Sequence, residues 1–145
     1  MSDTDQKLPA GPPAEKQQQA SFWVKDGAIS RLKALVAEYA TDETITIHPC
    51  EVVTAERFLR ALPVGISLPE FSIEPDGSIS LDWMESPDQR FSVSVGRNNR
   101  FACAWLDGTN QGHFVENFDG SRIPDRIIVG IKSIVKNGYA FLRAT

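Results

Sequence analysis

FSIEPDGSISLDWMESPDQRFSVSVGRNNRFACAW, from Phe71 to Trp105, is the stretch whose reading decides the fold. Read in steps of two, it separates into two sets. Phe71, Ile73, Ile79, Leu81, Trp83, Phe91, Val93, Val95, Phe101, Cys103 and Trp105 form one, mostly large and apolar. Ser72, Glu74, Ser80, Asp82, Ser92, Ser94, Ala102 and Ala104 form the other, short or polar. Successive side chains of a strand point to opposite faces, so this alternation predicts strands with one face to cover and one flat, small-residue face. The breaks carry turn chemistry. Pro75, Asp76 and Gly77 suit a bulged hairpin turn, and Pro87-Asp88 and Asn98-Asn99 mark the next two. Short breaks between strands of this kind predict an antiparallel meander. A weaker strand is expected at residues 113–118, after a loop at 107–112.

Outward from the meander, helical periodicity takes over. A helix is expected over residues 26–40, capped by Asp26, with Ile29, Leu32, Leu35, Val36 and Tyr39 as its apolar stripe. Residues 45–47 read as a short strand. A second helix fits residues 52–62 and ends at Pro63 and Gly65. The last helix begins near Pro124 and carries Ile127, Ile128, Ile131, Ile134 and Val135, with Gly138 as its cap. Residues 1–20, rich in proline and glutamine, read as a disordered arm, and 21–145 as a single domain. The fold class is α+β: a four- to five-stranded antiparallel meander packed on one face by two to three helices. The first and last helices are the expected covers.

Composition narrows the function. The chain has 145 residues, 41% hydrophobic and 23% charged, and a formal net charge of −4. Length and hydrophobic fraction suit one globular domain. The acidic balance disfavours a general nucleic-acid binder, which needs concentrated cations. No apolar run approaches a membrane span, and the start shows no signal-peptide pattern. With two cysteines, Cys50 and Cys103, and no disulfide framework, the expected compartment is the cytoplasm.

Few residues suggest chemistry. His48, Cys50 and Glu51 are the one local group of metal-type ligands, and no second pair accompanies them, so no metal and no cofactor is expected. No nucleophile motif is present, and no catalytic residue is assigned. Two surfaces stand out. The small-residue face, with Ser72, Ser80, Asp82, Ser92 and Ser94, is a candidate partner surface beside its reading as a plain solvated face. In a meander alternate loops share an end, so Glu85, Asp88, Asp107, Asn110, Gln111 and His113 are expected to gather as a polar loop end. Arg97, Asn98, Asn99 and Arg100 form a small basic tip that suits a phosphate contact.

Phe58-Leu59, Leu62-Pro63, Pro69-Glu70, Pro75-Asp76-Gly77-Ser78-Ile79 and Leu81-Asp82-Trp83 together have a cadence that resembles small uncharacterised bacterial proteins associated with mobile or horizontally acquired DNA. The resemblance covers about half the chain and marks turn and core residues. It implies a bacterial accessory protein and carries no catalytic residue. The expectation is therefore a non-enzymatic interaction or regulatory module that binds another protein, with an antitoxin- or immunity-like factor as one form and a homodimer as another. A ligand binder or enzyme at the polar loop end is the alternative. Nucleic-acid contact through the arm or the arginine tip comes third.

Overall fold

The computed structural model of the chain describes residues 14–135, with side chains from residue 24 onward. Helix α1 runs Ala14–Tyr39 and α2 Pro49–Ala61. Five strands follow: β1 Glu70–Ile73, β2 Ile79–Ser86, β3 Gln89–Val95, β4 Arg100–Asp107 and β5 Asn110–Asn117. Helix α3, Asp125–Ile134, closes the described chain. The strands form one antiparallel sheet in sequence order. This is the α+β meander that the alternation requires.

The register obeys the parity of the sequence. Ile79 pairs with Val95, Trp83 with Phe91, and Phe91 with Trp105, so large side chains stack row by row on one face. Phe58 of α2 enters the middle of that face. Its ring lies 5.3 Å from Phe101, 6.1 Å from Phe118 and 6.3 Å from Trp83, in edge-on contacts. Such aromatic pairs add to the 1.5–3 kcal/mol or so that each large buried side chain contributes. Trp83 also needs a partner for its indole N–H, and the Ser67 carbonyl accepts it at 2.8 Å.

The helices share the cover differently from the expectation. α2 and α3 lie across the central strands, while α1 packs on α2 and on β1. Phe58 makes the difference, because it is fully buried with its ring against Trp83 and Phe101 and so seats α2 on the central strands. α3 adds Ile127, Ile131 and Ile134. Gly130 lets α3 come close: a β-carbon there would lie 2.4 Å from the Phe91 ring.

Element ends also depart from expectation, each for a local reason. α1 includes residues 14–20, a run of Ala, Glu, Lys and Gln that favours helix, so Asp26 is interior rather than a cap. Asp26 instead accepts a 3.0 Å bond from Arg60 of α2. Residues 1–13 of the expected arm lie outside the described residues. α2 starts at Pro49, which suits a first helical position. Lys25 Nζ donates to the Arg60 and Leu62 carbonyls, satisfying the last turn of α2; burial, with Arg60 nearby, lowers the Lys25 pKa. Residues 45–47 form no strand. They cross the β1–β2 turn, where a β-carbon on Gly77, at φ 89°, would lie 1.9 Å from the Thr46 carbonyl oxygen. The expected cap Gly138 lies outside the described residues.

Candidate functional site on the open sheet face

Among the described residues, no helix covers the second face of the sheet. Register places its side chains in rows. One row crosses the strands as Ser72, Ser80, Ser94, Ala102 and Val115. The next is Glu70, Asp82, Ser92, Ala104 and His113. The third is Met84, Arg90, Leu106 and Gln111. The candidate residues Ser72, Ser80, Asp82, Ser92 and Ser94 thus share one face.

They are not equivalent. Ser80 is only 6% exposed and donates to Asp82 Oδ1 at 3.1 Å. Ser94 and Ser78 both reach Glu74 Oε1, each at 3.4 Å. The β1–β2 side is therefore acidic and internally hydrogen-bonded, with Glu70, Glu74 and Asp82.

The β3–β5 side is different. A shallow concavity of about 790 Å³ opens there. Arg90, Ser92, Leu106, Gln111 and His113 rim it and Ala104 supplies a floor, with Trp105 and Gly112 also lining it. No carboxylate lines it. Among the described residues, the side chains of Arg90, Ser92, Gln111 and His113 have no hydrogen-bond or ion-pair partner. A cation, an imidazole, an amide and a hydroxyl thus converge on an open hollow floored by a methyl group. Such a set can accept an anionic or carboxamide group, with Leu106 beside it for an apolar neighbour.

The polar loop end assembles only in part. Gly108 N–H donates to the Asp88 carbonyl at 2.8 Å, so the two loops are neighbours. Asp88 accepts from Ser86 at 2.8 Å, and Asp107 from Gln89 at 3.3 Å. Glu85 is exposed at the irregularity in β2. Asn110 begins β5, and His113 stands on the open face opposite Ala104 rather than among these carboxylates. The loop is shorter than expected: Gly108, at φ 68°, makes a two-residue turn between Asp107 and Asn110.

The remaining candidates serve local structure. Arg97 lies against His48 Nε2, and Asn99 Oδ1 accepts from Thr54 Oγ1 at 3.0 Å, so the arginine tip is tied to the start of α2. Glu51 is 5% exposed in that first turn. Burial pushes its carboxyl up, against the opposing pull of His48 and Arg97. Among the described residues, no group of three or more His, Cys, Asp and Glu converges to hold a metal ion. None of the described helices is long and apolar enough to cross a membrane. Burial, with Glu116 nearby, pushes the Cys103 thiol up to about 12, while Cys50 is exposed.

Arg90 and Leu106 were within reach of the sequence. Both continue the alternation by one step, after Ser92 and Ala104, and a strict period-two reading through the turns finds them. No protein-family model, curated protein or solved structure matches the chain.

Proposed function

We propose that this chain is a non-enzymatic interaction module that docks a protein partner on the open face of its sheet, with the Arg90–His113 hollow taking a carboxylate-bearing segment. One observation carries the reading. Unpartnered Arg90, Ser92, Gln111 and His113 surround a hollow without a carboxylate, in a chain whose net charge is −4. A local cationic site on an acidic molecule selects partners by where their charge sits, and complementarity of this kind contributes to specificity. The hollow is wide and shallow, which suits a side chain of a larger partner better than an enclosed substrate. An antitoxin- or immunity-like factor of a bacterial accessory system is one concrete form of such a module.

The test uses a fluorescein-labelled peptide of alternating glutamate and leucine as probe, read by anisotropy, with a lysine–leucine peptide as control. The acidic peptide should bind and the basic one should not. Arg90→Glu combined with His113→Ala should weaken acidic binding at least tenfold without changing the melting temperature. Asp88→Ala combined with Asp107→Ala should leave it intact. Equal binding of both peptides, or indifference to the first variant, sinks the proposal. Loss only in the second variant moves the site to the loop end.

A further inference from the structure

The two edges of the sheet are protected unequally. Exposed edges template pairing with other chains, and proteins usually shorten them, charge them, cover them or place proline on them. β1 follows these rules: it has 4 residues, Pro69 precedes it and α1 packs on it. β5 follows none. It has 8 residues, no proline, no lysine and no arginine. Its one charged side chain, Glu116, is on the helix-covered face beside Arg126 at 4.0 Å. Among the described residues, no strand pairs beyond it.

The ladder fixes which backbone groups are free. Asp107 pairs with Asn110 across a two-residue turn, and Phe118 N–H donates to Asn99 at 2.9 Å. Asn110, Gly112, Phe114 and Glu116 therefore direct their backbone groups toward β4. Gln111, His113, Val115 and Asn117 direct theirs outward.

We propose that a second copy of the chain pairs antiparallel along this edge, β5 against β5, about a two-fold axis perpendicular to the sheet. Direct opposites must share a face, which limits the registers. With Phe114 opposite Phe114 of the second copy, Gln111 pairs with its Asn117 and His113 with its Val115. Every outward group then finds a partner, and no like charges are opposed. Glu116 faces Gly112 of the second copy, the position whose missing side chain leaves room for Trp105: a β-carbon there would lie 2.7 Å from the indole. The register one pair over sets His113 against itself and leaves Asn117 beyond the strand of the second copy. A symmetric, self-complementary edge is what an isologous dimer requires.

The dimer also completes the hollow, a consequence that rests on the docking reading above. Gln111 and His113 are residues of the edge strand itself, so the hollow is open on that side. The second copy walls it with its Val115 and Asn117. The two hollows then lie on the same face of one continuous ten-stranded sheet, either side of the seam.

Sedimentation velocity over a concentration series, with amide exchange by NMR on the full chain, tests this. A dimer is expected in which the Gln111, His113, Val115 and Asn117 amides are protected. Val115→Pro removes an outward N–H without touching the β4 ladder and should give a folded monomer with those amides exchanging fast. Val115→Lys, which keeps the N–H and charges the edge, should weaken the dimer at least tenfold and serves if the proline variant does not fold. A monomeric wild type, a dimer with fast exchange at these positions, or a dimer unaffected by both substitutions overturns the proposal. A monomer that binds the acidic peptide sinks the dimer alone, and a dimer that ignores the peptide sinks the docking reading alone.

Discussion

Glu51 sits in the first turn of α2, where a carboxylate gains from the helix dipole, yet burial raises its pKa above the ordinary 4.5. The folded protein therefore holds this proton more tightly than the unfolded chain does. Its contribution to stability is fully present below pH 4.5 and is lost as pH rises through the raised folded value. Asp76 runs the opposite way: the Ser78 hydroxyl and N–H hold it below 3.8, so its contribution is fully present above 3.8 and is lost as pH falls through the lowered folded value. Glu51→Gln should raise the melting temperature at neutral pH, and the gain should shrink as the solution is acidified toward pH 4.5. A calorimetric pH series checks this, and a variant less stable at neutral pH would mean that His48 and Arg97 outweigh the burial. The two thiols should also separate cleanly. Iodoacetamide should modify Cys50 in the native protein and reach Cys103, with its thiol near 12 and its side chain buried, only after denaturation. Mass spectrometry of native and denatured samples reads the difference.

Elements place these residues, and the β-hairpins were the most legible of them. Alternation from Phe71 to Trp105 specifies register because a one-residue slip would turn Phe91 and Phe101 outward. Trp83→Ala should cost about 3–5 kcal/mol in denaturant unfolding, since it empties a site shared with Phe58 and Phe91 and orphans the Ser67 carbonyl. Gly130→Ala should cost about 1–3 kcal/mol by pushing α3 off the Phe91 ring. An unchanged midpoint would show that the ring swings aside. β5 was less legible, because Asn110, Gln111 and Gly112 have the composition of a loop. Gly112 is a strand residue for a reason held on the opposite strand, the Trp105 indole, and no local pattern carries that. The same gap moved His113 from the loop end to the open face. The path of residues 45–47 escaped for a similar cause, since it depends on Gly77 meeting Thr46, whereas the start of α1 lay in the local Ala, Glu, Lys and Gln run of residues 14–20.

At the scale of the whole molecule, chain order and spatial order nearly coincide. Each strand pairs with its sequence neighbour, so the ladders of the sheet join segments that are close along the chain. The cover of the sheet is split, however, between α2, which precedes the strands, and α3, which follows them. Ribosomal synthesis proceeds in that same order. The meander with Phe91, Val93 and Phe101 is complete at residue 117, before any of Ile127, Ile131 and Ile134 has been made. A chain released after residue 124 should accordingly be insoluble or aggregated while the full chain is soluble, as fractionation after expression would show. The last helix therefore does two things at once: it completes the core, and it keeps the apolar face of an already paired sheet out of contact with other chains.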